Sequence, residues 1–501
     1  MSNNKDEGNE LFIGIVHKIG YENTKIVEKI QSELKNYGYE TTDIHITHFL
    51  KKIQKLNLKE FPLETRIKSY IEACNNLRKV TDHNIMAKLA IHKINQDREN
   101  NKFIKKAYII NQIKRPEETD FLRKIYGENY IQIAFYEAEE QRFDKLTKTI
   151  SNSHPEDPKS SKWKIEAREL IAIDESEEGE ENGQRVREAF PLSDVVLDAT
   201  DDKILFRDLN RFLRIIFGDF SVTPTEEEYG MEMALTASRR SSDLSRQVGA
   251  AIFNSHMEIQ ALGCNEVPKA GGGTYWEKNQ GIDGRDFALG FDSNEKRKRA
   301  VVMDLFNKLK GEGFLSKDFE EADPDWLEDK IFNTKTIKES QIMDSLEYGR
   351  SVHAEMNAIT DAARGGHAIR NGIMYTNTFP CHNCAKHIIA SGIEEVIYIK
   401  PYPKSYAKEL FYDSIQIDPD HICQDNKKVV FRQFIGIVGE IYTKLFTKIR
   451  WKDKEGYAQI FEKSEPKLVL GKSYLSYKEE EEKIIKETED NLKRLGLLKN
   501  S

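Results

Sequence analysis

His353-Ala354-Glu355 and, further along, Pro380-Cys381-His382-Asn383-Cys384 are the stretches that decide how this chain folds. One imidazole and two thiolates form a three-ligand set that leaves the fourth tetrahedral position of zinc open. Zinc held this way lowers the pKa of water. Cys381 and Cys384 are three residues apart, so both can point from one face of a helix's first turn. A helix N-terminus there also favours thiolate over thiol. The strand-like Ile373 to Thr378 delivers the chain to Pro380, which suits helix entry. His353 and Glu355 are two apart and cannot share a face of a regular helix. They must sit at a helix start, His353 on the metal and Glu355 toward the water, where it would carry the proton. The competing reading, a closed structural zinc site, needs a fourth protein ligand, and His382, His387 and Cys423 are available for it.

Outward from this motif, length sets the frame. A chain of 501 residues exceeds one ordinary hydrophobic core, so two or three domains are expected. Of the five cysteines, Cys74, Cys264, Cys381, Cys384 and Cys423, only Cys381 and Cys384 form a tight pair, which argues against a disulfide scaffold. No apolar run is long enough to cross a bilayer, and the polar start Met1-Ser2-Asn3-Asn4-Lys5-Asp6-Glu7 lacks the apolar core of a signal peptide. A cytoplasmic protein, with no membrane partner, is the expectation. The net charge of −8 argues against a dedicated DNA- or RNA-binding protein, which carries a basic excess.

The first half alternates strands and helices. Leu11 to Val16 reads as an apolar strand, followed by a helix that Thr24 would cap and that buries Ile26, Val27, Ile30 and Leu34. Further strands are expected at Thr41 to Thr47, Ala107 to Ile110, Tyr130 to Phe135 and Val195 to Leu197, with a helix from Pro116 to Tyr126. This pattern implies a mainly parallel sheet covered on both faces. Ser151 to Ser161 and Asp174 to Asn182 read as loops, the second a solvated one. A boundary near Phe217 to Thr225 divides the chain into domains 1–218 and 219–501, with a second α/β pattern carrying the zinc motif. The charged stretch Tyr477 to Leu498 reads as a C-terminal helical extension, a surface helix or an oligomer contact.

The His-x-Glu … Pro-Cys-x-x-Cys pattern is that of zinc nucleobase deaminases. More residues resemble the deoxycytidylate deaminase family: Thr236-Ala237-Ser238-Arg239-Arg240-Ser241, Ser245 to Ile252, Gly263-Cys264-Asn265-Glu266-Val267-Pro268 and His353 to Ile359. The resemblance implies a cytidine/deoxycytidylate deaminase-type α/β/α domain, and implies that Asn265 hydrogen-bonds the sugar or base; otherwise it is a plain turn residue. Cys264 stands where the family has an aromatic residue, and Glu266 where it has glycine. A long insert, residues 271–348, separates Asn265 from His353. Its Gly271-Gly272-Gly273-Thr274-Tyr275-Trp276-Glu277 and Arg285-Asp286-Phe287 could form a substrate lid or an ordinary loop. Substrate phosphates would need cations in this acidic chain, and Arg246 and Lys404 are the candidates.

The first half resembles P-loop nucleotide kinases. The segment Gly14 to Thr24 follows a strand and precedes a helix, but lacks the Gly-Lys-Ser/Thr ending that supplies a phosphate lysine and a magnesium hydroxyl. Gly14, Gly20 and Thr24 therefore mark a nucleotide or regulatory loop without kinase activity, or part of a mere scaffold. A degenerate kinase-like domain followed by an enlarged deoxycytidylate deaminase domain resembles the bacterial anti-phage dCTP deaminases. That resemblance implies zinc as cofactor and conversion of dCTP to dUTP, with dCMP to dUMP. It also implies depletion of deoxycytidine nucleotides against phage, control by a regulatory nucleotide or small RNA, and a homo-oligomer. A housekeeping dCMP deaminase with a regulatory domain, or a nucleic-acid-editing deaminase, would share the chemistry and differ in substrate.

Overall fold

The computed structural model describes residues 9–21, 23–100, 105–277, 281–419, 428–448, 452–458, 460–463, 468–470 and 476–498. Residues 1–8 and Cys423 lie outside the described residues. The chain divides into two compact units, Met1–Tyr229 with Phe434–Ser501, and Gly230–Gln433.

The first unit is built on five parallel strands: β1 (Asn9–His17), β2 (Glu40–His45), β3 (Lys105–Asn111), β4 (Tyr130–Tyr136) and β5 (Val195–Asp198), in the order β5-β4-β1-β3-β2. The short strand Gly436–Ile437 adds antiparallel to β5 at the edge. The unbroken apolar run of β1 explains its central place. Leu11, Ile13 and Ile15 enter one buried cluster, while Phe12 and Val16 enter another. Alternate residues point to opposite faces, so a strand apolar on both must be covered by helices on both. Gly14 belongs to this strand, not to a phosphate loop as the sequence suggests. A Cβ there would lie 2.1 Å from the Tyr130 hydroxyl, so the position demands glycine for packing.

Two other expectations are corrected. Asp174 to Asn182 is a solvated loop only in part: Glu178 to Glu181 are exposed, but Asp174 and Glu175 end the helix Lys162–Glu175. Asp174 is buried and accepts from Lys114 Nζ at 2.8 Å and from the Ile19 amide at 2.8 Å, while Glu177 accepts from Asn75. The C-terminal helix Ser476–Arg494 lies at the surface, with Glu482, Lys483, Lys486 and Glu487 exposed, but one face is seated on the first unit. Tyr477, Glu481 and Leu492 are buried within the first unit, and Glu481 accepts from Arg98 at 2.6 Å and from the Tyr126 hydroxyl at 2.8 Å. Its return also moves the domain division: residues 434–501 group with the first unit rather than with the zinc domain.

The second unit contains β6 (Gly249–Phe253), β7 (Ile259–Cys264), β8 (Ile373–Thr378), β9 (Glu395–Lys400), β10 (Ile415–Ile417) and β11 (Val429–Gln433). Their order is β10-β11-β9-β8-β6-β7, with β6 antiparallel to both β7 and β8 and the remaining pairs parallel. The expected α/β class therefore holds in both units. The insert folds into helices of its own, among them Ser293–Gly311 and Pro324–Asn333, around a small core of Val302, Leu327, Ile331 and Phe332. No helix among the described residues is long and apolar enough to cross a membrane.

Candidate metal centre and its cavity

Two helix N-termini meet at the zinc motif. His353 is the N-cap of the helix Ala354–Gly365, in extended backbone, so its side chain leaves before the helix begins. Glu355 follows in the first turn and is buried. This brings to one cavity two residues that a continuous helix would send apart. Cys381 is the N-cap of the helix His382–Ser391, and Cys384 lies in its first turn. The Cys384 amide donates to Cys381 Sγ at 3.5 Å. Gly263 of β7 lets the first helix sit directly on the sheet. A Cβ at that position would meet the Ala354 carbonyl at 2.2 Å and the Ala358 amide at 2.4 Å.

His353 Nδ1 lies 3.3 Å from Cys381 Sγ and 3.3 Å from Cys384 Sγ. Bond lengths of a tetrahedral zinc site set sulfur–nitrogen edges of about 3.6 Å, so this donor set fits the ion in size and chemistry. The three ligand atoms all lie within 4.8 Å of one another. Among the described residues, neither His382 nor His387 joins this group of ligand atoms; Cys423, the other candidate, lies outside them. Glu355 Oε2 lies 3.3 Å from Cys384 Sγ. Burial pushes its carboxyl upward, with the Cys381 charge adding to the effect. A carboxyl raised in this way is suited to hold a proton and release it.

The motif opens into a cavity of about 330 Å³ lined by His353, Glu355 and Cys381. Asn265, Arg246 and Lys404 line it too. Asn265 is already engaged: its oxygen accepts from the Val248 amide at 2.8 Å, and its amide donates to the Arg246 carbonyl at 2.8 Å. It latches the entry to β6. The Arg246 guanidinium stacks on Tyr402, 5.3 Å from the ring centre. Lys404 pairs with Asp344 of the insert. Two further cations line the cavity that sequence reasoning missed, Lys298 of the insert and Arg350 just after it. Lys298 donates to the Met343 carbonyl at 2.8 Å, and Arg350 to the Gly284 carbonyl at 2.7 Å. Nothing in their local pattern separates them from surface charges. The glycine stretch from Gly271 is absent from the cavity lining. There, Arg240 stacks on Trp276 at 3.7 Å and donates to Thr274 Oγ1 at 2.6 Å, which makes this stretch a packed loop rather than a lid.

In the first unit, Gly20 has φ of +96° and sits against the Arg142 backbone, beside a second cavity. Thr24 lies inside the helix Asn23–Lys35 and is exposed, so it does not cap that helix. The three residues expected to form one loop are thus divided among a strand, a turn and a helix.

Residues 224–400 match the family described as the cytidine and deoxycytidylate deaminase zinc-binding region. The chain is 46% identical over 54 residues to the deoxycytidylate deaminase of Enterobacteria phage T2, a match covering 11% of this chain and 29% of that protein. It is 26% identical over 208 residues to the deoxycytidylate deaminase of Pongo abelii, covering 42% of this chain and 79% of that protein. Against the crystal structure of a dCMP deaminase from the cyanophage S-TIM5 in apo form, identity is 15% and the TM-score 0.22, covering 42% of this chain and 99% of that one. The chain therefore spans under a third of the phage T2 relative, and well over two thirds of the Pongo abelii one. The matched region contains His353 and Cys381 with Cys384, and the metal it holds is zinc.

Proposed function

We propose, from a second unit that carries the zinc-binding region of cytidine and deoxycytidylate deaminases, that this chain deaminates deoxycytidine nucleotides, dCTP to dUTP and dCMP to dUMP. The observation that carries this is the placement of Glu355, buried and 3.3 Å from Cys384 Sγ, beside the three ligand atoms on the wall of one cavity. Zinc, when bound, supplies a Lewis acid that makes water nucleophilic near neutral pH. Glu355 takes the proton of that water, passes it to the pyrimidine ring nitrogen, and finally serves the departing ammonia. The carbon bearing the amino group exchanges its C–N bond for a C–O bond, so water and cytosine become uracil and ammonia.

Arg246, Lys298, Arg350 and Lys404 all line the same cavity. Lys298, Arg350 and Lys404 pair with Glu295, Asp286 and Asp344, so Arg246 is the cation best placed to meet a substrate phosphate. Asn265 would meet the sugar or base with the hydrogen-bonding capacity its two backbone contacts leave over. The first unit is read as a degenerate kinase-like regulatory domain without kinase activity, supported by the missing Gly-Lys-Ser/Thr ending. Together these features fit a homo-oligomeric enzyme that depletes dCTP and dCMP and so starves phage DNA synthesis. The decisive experiment incubates purified protein with dCMP, dCTP and deoxycytidine and measures ammonia and uracil products. A faster rate with dCMP than with dCTP would turn the reading toward a housekeeping enzyme. No turnover of any cytosine nucleotide by the zinc-loaded protein would sink it.

A further inference from the structure

The larger of the two cavities lies in the first unit, away from the zinc motif in sequence and chemistry. Its volume is about 640 Å³, within the range of small-molecule sites. It sits over the C-terminal ends of three strands: His17 ends β1, His45 ends β2, and Gln112 and Lys114 follow β3. Open α/β sheets hold ligands at this edge.

Three features of the lining narrow the occupant. First, one cation of the lining is left over. Arg78 pairs with Glu118 at 2.9 Å and Lys114 with Asp174 at 2.8 Å inside the cavity, while Lys145 pairs with Glu137 and Arg66 with Glu60 at 3.5 Å. Lys148 is exposed and makes no ion pair with the described residues. Second, polar atoms deep in the wall lack partners. His17 is 5% exposed, and its Nδ1 lies 3.2 Å from the Lys18 carbonyl. A carbonyl only accepts, so Nδ1 carries the proton and Nε2 is left as an acceptor; it has no partner. Burial, followed by the Lys114 charge, holds this imidazole down to about 3, so it stays neutral. Gln184 Oε1 is a second buried acceptor without a partner. An unmatched buried acceptor is costly, and a ligand donor would recover that cost. Third, Ile67, Ile71, Met86 and Leu146 give the remaining wall an apolar character.

We propose that this cavity is a nucleoside-phosphate site, with the phosphates at Lys148 and the base or sugar donating to His17 and Gln184. Inorganic phosphate alone would leave the apolar wall and the deep acceptors unmet. A purely apolar ligand would leave both acceptors and Lys148 unmet. The assignment gives the regulatory reading of the first unit a location and a ligand class, and rests on that reading for its consequence.

The test is calorimetric titration of the full zinc-loaded chain carrying Glu355→Ala with AMP, ATP, GMP and GTP, alongside pyrophosphate and adenosine. Purine nucleotides are chosen because the zinc cavity is read as a cytosine site. One nucleotide is expected to bind one site per chain. Lys148→Glu should weaken it about tenfold or more through charge reversal, with zinc content and unfolding temperature unchanged. His17→Leu should weaken it too, and Lys148→Glu, being on the surface, keeps the test open if the buried variant fails to fold. The proposal is overturned if none of the four nucleotides binds. It is equally overturned if pyrophosphate binds as tightly as the best nucleotide, or if Arg246→Glu abolishes binding while Lys148→Glu leaves it untouched. Binding without any change in deamination rate, measured in the Glu355 protein, would establish the site and remove its regulatory role.

Discussion

At the metal centre, single residues carry separable tasks. Cys384 is fully buried in a helix's first turn and supplies one of three ligand atoms. Cys384→Ser replaces a soft thiolate by a weak hydroxyl, so both zinc content and activity should vanish; full zinc occupancy measured in that variant would refute the ligand assignment. Glu355 is no ligand. Glu355→Ala should keep zinc and fold yet lower turnover by about 10²–10⁴-fold, the usual contribution of a positioned acid–base group. Zinc loss in that variant would make Glu355 structural instead. Arg246 has the Tyr402 ring as its neighbour and its guanidinium on the cavity wall. Arg246→Ala should raise KM for dCTP by about tenfold or more, as expected for a charge-assisted phosphate contact, and leave deoxycytidine kinetics alone. Equal effects on the two substrates would dismiss the contact.

Elements show why part of this molecule was legible in the sequence and part was not. Motif spacing is local: Cys381 and Cys384 are three positions apart, His353 and Glu355 two. Each fixes a helix start, and both starts appear where the spacing requires. Strands β1, β3, β4 and β5 were legible because their apolar runs bury both faces, and the edge strand β2, mostly exposed or half-buried, because of its β-branched residues. The C-terminal helix misled because its buried stripe contains Glu481, and charge reads as surface until its partners Arg98 and Tyr126 are known. Those partners come from elements hundreds of residues away, beyond any local pattern. Arg98→Met should therefore destabilise the first unit by about 3–5 kcal/mol, the cost of stranding one buried charge of a pair. Urea unfolding would measure it; an unchanged midpoint would mean that the helix is not seated by this pair. Gly263 was quoted only as part of a turn motif, and its packing role is equally non-local. Gly263→Val should cost about 1–3 kcal/mol of overpacking and reduce zinc content, because the Ala354 carbonyl it would strike begins the helix that His353 caps.

The whole molecule joins a zinc centre in one unit to a cationic, partly apolar cavity in the other, and the question at this scale is whether the two communicate. A nucleotide in the first unit can alter deamination only if it binds the active and silent arrangements with different affinities. Linkage then imposes a symmetry: whatever factor the nucleotide applies to dCTP affinity, dCTP must apply to nucleotide affinity. A regulatory first unit predicts a factor of about 5 or more, whereas a scaffold predicts none. Both directions can be read in the zinc-loaded Glu355→Ala chain, where dCTP should persist unreacted. The purine nucleotide is titrated at zero and at saturating dCTP, and then the roles are exchanged. Equal factors different from one would establish regulation. A factor of one in both directions would leave the first unit as a scaffold that happens to bind a nucleotide. Incubation of the wild-type chain with ATP and dCMP should yield no phosphorylated product, since the turn around Gly20 lacks the lysine and hydroxyl that phosphoryl transfer uses. Measured phosphate transfer would overturn the regulatory reading outright and make the first unit an enzyme in its own right.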